Sequence, residues 1–172
     1  MLINMATGAE FDIDRDIDSV SEDEIFNRYP LHSYGRSKNI IARQVHLLPY
    51  FYNLRIFGCF DSTEADNRPL KSFVSKSQKN EPFVIPADRQ FDMISVGDIV
   101  RVIEAVLANK IHDKDINLVY NKKYYLSEIL TMFAQLHNLN PELIKVEKKD
   151  SLNYTGSSAR LSASGVDRKS TR

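Results

Sequence analysis

The chain has 172 residues, enough for one sizeable core that buries about 70% of its unfolded surface. Lys plus Arg and Asp plus Glu both total 23, and a net charge near zero excludes the basic footprint of a nucleic-acid or anionic-membrane surface. No apolar run approaches the roughly 18 residues of a membrane span. Met1 to Met5 does not read as a signal peptide. The single cysteine, Cys59, allows neither an intrachain disulfide nor a cysteine metal cluster. A soluble, cytoplasmic protein with no nucleic-acid or membrane partner is the expectation.

Leu2 to Ala6 reads as a short buried strand with a hydroxyl, Thr7, and Gly8 after it. Residues 8 to 32 read as a long acidic loop, with Ser21 to Glu24 placed to cap a short turn around Ile25 and Phe26. A helix follows Ser33 and stops at Pro49; Ala, Arg, Gln and Leu favour it, and apolar residues recur at 40, 41, 45, 47 and 48. Residues 51 to 57 form the next strand, and the helix-then-strand order predicts an α/β fold with a parallel sheet. Cys59 reads as a small packing residue. A helix is predicted at 67–77, a proline-bounded edge strand at 82–86 and a short strand at 91–96. Ile99, Val102, Ile103, Val106 and Leu107 recur at helical spacing, with Asp98 in the first turn where it suits the helix dipole. A strand at 115–120, a helix at 125–137 and a last strand at 144–147 complete the pattern. From Ser151 the composition reads as a disordered tail. The histidines at 32, 46, 112 and 137 share no ligand spacing.

The stretch Ser33-Tyr34-Gly35-Arg36-Ser37-Lys38 carries the chemistry. Residues four apart on a helix lie one above the other, so Tyr34 and Lys38 share a face. A phenol titrates near pH ~10, and a fixed ammonium nearby lowers that value. Reaching pH ~7 takes roughly 4 kcal/mol, which one lysine at about 4 Å supplies only in a partly dry site. Such pairs are common on solvated helix faces, so the spacing alone is weak.

Four blocks together are specific. These are Leu2 to Asp12, Tyr34 to Lys38, Tyr52 to Gly58 and Arg89 to Val100. In that order they resemble the extended short-chain dehydrogenase/reductase family, and within it the NAD(P)-dependent nucleotide-sugar epimerases and dehydratases. The resemblance runs from residue 1 to about 163. It implies a partial Rossmann-type parallel sheet with a small α+β substrate domain. The implied division is 1–61 for the dinucleotide-binding part, 62–150 for the substrate region with the remaining sheet elements, and 151–172 for the tail. It also implies NAD or NADP as cofactor and a nucleotide-sugar as substrate. Matched block by block, the catalytic group is Thr7, Tyr34 and Lys38; Tyr34, Lys38 and Phe57 meet the cofactor. Gly58 stands where the family often has a substrate-binding Asn, Asn67 where it has a substrate-binding amide, and Phe91 where it has a phosphate-binding arginine. The family often dimerises through the tyrosine helix, which implies a homodimer or self-association.

The family's opening Gly-x-x-Gly-x-x-Gly turn is missing: the glycines are 8, 35, 58, 97, 156 and 165, and none cluster. The expectation is therefore the C-terminal portion of such an enzyme, inactive by itself. An NADP-dependent carbonyl reductase of the same family, or a catalytically silent remnant that binds a partner, stays open beside the epimerase/dehydratase reading. Asp12-x-Asp14-x-Asp16 imitates the start of a calcium loop, but Ile17 stands where glycine is needed and Asp23 where glutamate is needed. No metal site is assigned. Calorimetric titration with calcium is expected to show no micromolar binding, and a micromolar isotherm would overturn this reading.

Overall fold

A computed structural model describes residues 1–149 and 151–166. The chain opens with β1 (Leu2–Thr7), a 3-10 turn at Gly8–Glu10 and β2 (Ile17–Val20). A second 3-10 turn at Glu22–Phe26 precedes α1 (Ser33–Leu47), β3 (Phe51–Ile56) and β4 (Cys59–Phe60). Next come α2 (Pro69–Gln78), β5 (Phe83–Ile85), β6 (Ile94–Ser95) and α3 (Val96–Leu107). The chain continues through β7 (Asp115–Leu118), α4 (Leu126–Leu136), β8 (Ile144–Val146), β9 (Tyr154–Gly156) and α5 (Ala159–Ala163).

The main sheet has the order β1-β3-β7 and is parallel, as are the two-stranded pairs β2-β9, β4-β6 and β5-β8. This is the α/β fold with a parallel sheet that the element order predicts. Side chains alternate across a strand, so β3 serves two different surfaces. Tyr52 and Leu54, with Ile116 and Leu118 of β7, build an apolar core against Ile99, Val102 and Val106 of α3 and Leu161 of α5. Asn53 and Arg55 point the other way and are also fully buried, with Asp115 and Asn117 of β7 beside them. A separate core joins α2, β5 and α4 through Leu70, Phe73, Ile85, Leu130 and Ala134.

α1 forms where the sequence places it, but its inward stripe is Gly35, Asn39, Ala42 and Val45. Ile40, Ile41, Leu47 and Leu48 are exposed. The 3-10 turn at Glu22–Phe26 is closed by Glu24, whose Oε1 accepts from the Ser21 N–H at 3.1 Å. Asp98 does sit in the first turn of α3, and Ser95 caps that helix by accepting from the Asp98 N–H at 3.1 Å. No helix among the described residues is long and apolar enough to cross a membrane.

Three expectations need correction. The acidic loop is not free of regular structure, because β2 lies within it and pairs with β9. The tail from Ser151 to Val166 is not disordered: it supplies β9 and α5, and Thr155 and Leu161 are fully buried. Its polar composition hid two buried anchors whose partners lie far away in the chain. Residues 167 to 172 of that predicted tail lie outside the described residues. Cys59 is exposed and does not pack inside, because β4 carries it on the surface.

If the tail is part of the core, Leu161→Ala should lower unfolding free energy by about 2–5 kcal/mol, as for other buried leucines. A urea melt measures this, and an unchanged midpoint would show that α5 does not contribute.

Candidate functional site

The site begins where β1 ends. Thr7 leaves the strand in extended conformation and caps the short turn after it. Its Oγ1 accepts from the Ala9 N–H at 3.2 Å, and its own N–H donates to Glu10 Oε1 at 3.3 Å. Glu10 is held in turn by Arg55 Nε at 2.7 Å. The Thr7 hydroxyl is thus fixed at the C-terminal end of a parallel strand, the region where ligands of open α/β sheets bind.

α1 is brought against this strand end by a glycine. A Cβ at Gly35 would lie 2.2 Å from the Ala9 carbonyl oxygen and 2.4 Å from the His32 ring. Only a residue without a side chain lets the first turn of the helix press onto the turn after Thr7. His32 caps that helix, with its Nδ1 accepting from the Gly35 N–H at 3.0 Å. The buried Asn39 amide then donates to the carbonyls of Glu10, at 2.8 Å, and Ile25, at 3.2 Å. Arg43 donates to Asn39 and to the Ile25 and Arg28 carbonyls, and lies over the Tyr29 ring. These contacts orient α1 so that Tyr34, 56% exposed, stands in its first turn with Lys38 half-buried one turn later.

An aromatic ladder crosses the strand ends. Phe57 stacks on Phe11 at 6.0 Å and meets Tyr154 at 5.1 Å; Tyr154 stacks on Phe91 at 5.6 Å. The Arg89 guanidinium lies over Phe91 at 5.5 Å and Tyr154 at 5.7 Å. Glycines seat the rings. A Cβ at Gly8 would meet Phe57 at 2.6 Å and the Tyr154 hydroxyl at 2.7 Å, and one at Gly156 would meet Phe57 at 2.6 Å. At Gly58 it would meet Phe91 at 2.7 Å. Gly58 and Phe91 are therefore coupled by packing. The Phe91 ring takes the room that a side chain at 58 would need.

Burial pushes the Tyr154 phenol up to about 12. The neighbouring Thr7 hydroxyl and the Arg89 charge oppose that rise, while Tyr34 and Glu10 add to it. Tyr154 is thus a neutral hydroxyl at ordinary pH, beside Thr7 and within electrostatic reach of Tyr34. Burial also raises Glu10 above the usual carboxylate range, with Arg55 opposing.

Of the residues predicted from sequence, Thr7, Tyr34 and Lys38 fall on the two elements that Gly35 packs together. Phe57 sits next to Thr7 as a packed ring, 7% exposed. Gly58 lies under Phe91, and Asn67 is exposed on the turn before α2. Tyr154, Glu10 and Arg55 were missed. The alternation Asn53-Leu54-Arg55-Ile56 was a usable signal for Arg55, but it reads equally well as a solvated strand face. Tyr154 falls in the stretch Asn153 to Ser158, which resembles the family, but the sequence assigned it no role. Among the described residues, no group of three His, Cys, Asp or Glu side chains is placed to hold a metal. A cavity of about 630 Å³ lined by Phe60, Leu70, Val74, Val96 and Phe133 shares no residue with the hydroxyl cluster.

No family model matches the sequence, and a search of curated proteins finds no relative. Solved structures do match. The dTDP-glucose 4,6-dehydratase of Bacillus anthracis in complex with NAD is 13% identical, with a TM-score of 0.75, over 95% of this chain and 54% of that one. The dTDP-4-dehydrorhamnose reductase of the same organism, in complex with NADP, is 16% identical with a TM-score of 0.74, over 96% and 59%. The UDP-glucose 4-epimerase of Thermus thermophilus in complex with NAD is 16% identical with a TM-score of 0.70, over 97% and 58%. The fold is the one they share. The chain spans little more than half the length of these structures.

A phenol that ionises near 12 when folded and near 10 when unfolded holds its proton longer in the fold. Its contribution to stability is therefore full below pH ~10 and is lost as pH rises through the folded value. The difference between ultraviolet phenolate titrations of the chain and of Tyr154→Phe should show one late-titrating phenol. A difference curve with a midpoint at the ordinary tyrosine value would contradict the buried placement.

Proposed function

We propose that this chain carries the catalytic and substrate-binding part of an NAD(P)-dependent enzyme that acts on a nucleotide-sugar, by epimerisation or dehydration through transient hydride transfer. The observation that carries the reading is the Gly35 contact, which sets the Tyr34 helix against the Thr7 strand end with Lys38 one turn away. Similarity in fold to a dehydratase, a reductase and an epimerase of nucleotide-sugars supports it.

In this reading Thr7 holds a sugar hydroxyl by hydrogen bonding. Tyr34, open to the site, exchanges a proton with that hydroxyl as general acid or base. Lys38, one turn along α1, binds the nicotinamide ribose with Tyr34. Phe57 is the third residue assigned to the cofactor. NAD(P), when bound, accepts and returns the hydride. The residues present fit the nicotinamide end only. A glycine turn that receives the pyrophosphate is absent from the sequence, so a further segment is proposed to supply it. On the substrate side Gly58 and Asn67 are the assigned positions, and the Phe91 ring over Gly58 makes that wall aromatic. The exposed Ile40, Ile41 and Leu47 of α1, with Leu48 just after it, are proposed as a self-association face.

With the dinucleotide-binding segment present, Tyr34→Phe should reduce turnover of a nucleotide-hexose by about 10² or more, as for loss of a general acid–base group. The melting temperature should barely change, because Tyr34 is exposed. Near-normal turnover in that variant would remove Tyr34 from the mechanism. Product analysis separates an epimer or dehydrated sugar from a reduced one.

A further inference from the structure

The cavity of about 630 Å³ lies apart from the hydroxyl cluster, between α2, β4, the first turn of α3 and the C-terminal end of α4. Pockets for small organic ligands usually measure roughly 300–1,000 Å³. Residues four apart share a helix face, so α2 turns Leu70 and Val74 toward it, and α4 with its C-cap turns Phe133 and His137. The Phe133 and His137 rings lie 4.3 Å apart, and Phe60 of β4 adds a further ring to the lining.

Gly97, in the first turn of α3, keeps this space open. A Cβ there would meet nothing nearer than Ser95 Oγ at 4.0 Å, whereas a Cβ at Gly8, Gly35, Gly58 or Gly156 would lie under 3 Å from a neighbour. Packing requires those four glycines and does not require Gly97. Glycine weakens a helix, so what it contributes at this position is the room it leaves.

The turn before α2 brings a carboxylate into the apolar space. Asp61 Oδ1 accepts from the Thr63 N–H at 2.9 Å and from the Thr63 hydroxyl at 2.8 Å, and the Glu64 N–H donates to the Asp61 carbonyl at 3.2 Å. The Thr63 backbone and hydroxyl, helped by the Lys71 charge, hold Asp61 below its ordinary value. Asp61 is thus provided for within its own turn. Glu64 is not. It lines the cavity, and its Oε2 is buried with no hydrogen-bond partner among the described residues. Lys71 lines the cavity too and does not satisfy that oxygen. A buried carboxylate oxygen without a donor is costly, and a cationic donor makes the strongest bond to it. Aromatic faces nearby favour the same sign of charge.

We infer that this cavity binds an organic ammonium, with an apolar or aromatic body against Leu70, Val74 and Phe133 and a cationic head that donates to Glu64 Oε2. The site uses none of Thr7, Tyr34 and Lys38, and the inference does not rest on the nucleotide-sugar reading.

Phenethylamine, phenethyl alcohol and hydrocinnamate carry one body with a cationic, a neutral and an anionic head. NMR titration of the full chain with each should show the amine binding about tenfold more tightly than the alcohol, the margin of one charge-assisted hydrogen bond, and no saturable binding of the acid. Glu64→Gln keeps the shape and removes the charge, so it should bring the amine down to the affinity of the alcohol and leave the alcohol unchanged. Gly97→Leu fills the open space and should abolish amine binding with the melting temperature maintained. Equal affinity for amine and alcohol would overturn the inference, as would undiminished amine binding in either variant. Absence of amine binding to the unaltered chain would overturn it as well, and would leave the role of Tyr34 untouched.

Discussion

One buried charge holds the site side of the sheet together. Arg55 is fully buried on β3, with Nε on Glu10 at 2.7 Å and Nη2 on Asp115 at 2.7 Å. Glu10 belongs to the turn after β1 and Asp115 to β7, so a single side chain spans all three strands of the main sheet. Asn53 extends the set, donating to Asp115 at 2.8 Å and to the Ala42 carbonyl of α1 at 2.9 Å. His46 meets the other Asp115 oxygen at 2.6 Å from the last turn of α1. Burial drives Asp115 upward, but Arg55, His46 and Asn53 together hold it below its ordinary value. Removing one member of such a network leaves an unpaired buried charge, at a cost of roughly 3–5 kcal/mol. A well-packed apolar replacement of the whole set often costs nothing. What the ionic version adds is direction, because Glu10 also accepts from the Thr7 N–H and so ties the hydroxyl to the centre of the sheet.

The second constraint is steric and is carried by small residues. Gly35, Gly8 and Gly58 each occupy a place where a Cβ would lie under 3 Å from another group. At Gly35 the close neighbour is backbone, which cannot swing aside, so helix and strand end approach as nearly as two chains can. At Gly8 the neighbours are aromatic side chains, and at Gly58 they are the Phe91 ring and the Asp92 carbonyl oxygen. Packing density leaves no slack in such contacts. The site is therefore assembled by what is absent at four positions, Gly156 included, as much as by the hydroxyls themselves. Glycine at 58 goes together with the ring at 91, which a Cβ there would meet.

Much of the scaffold was legible in advance. α3 and α4 announced themselves by helical periodicity, and α1 by its helix-forming residues and Pro49, although the apolar residues at 40, 41, 47 and 48 proved exposed; β1, β3 and β7 were legible as strands. The placement of Tyr34 and Lys38 one turn apart was legible too, because both lie within one helix. The misses share one cause. β2, β9 and α5 are four, three and five residues long, too short for any period, and contacts more than a hundred residues away stabilise them. A polar stretch such as Ser151 to Ser158 reads as loop until Thr155 is found buried against Ile17 and Ser19.

The sequence by itself determined the local elements and the order that makes a parallel α/β sheet, since side-chain period and strand–helix alternation are properties of neighbours along the chain. It also determined that a tyrosine and a lysine would share one helix face. Only the tertiary structure decided which polar residues went inside. Asn53, Arg55 and Asp115 look like surface positions in a linear reading, and they are buried because partners from three other segments meet them there. It alone decided that a third hydroxyl, 120 residues from Tyr34 (154 − 34), would stand beside Thr7. Hydrogen bonds and close packing act through space, and the distances along the chain that they bridge leave no mark in its local pattern.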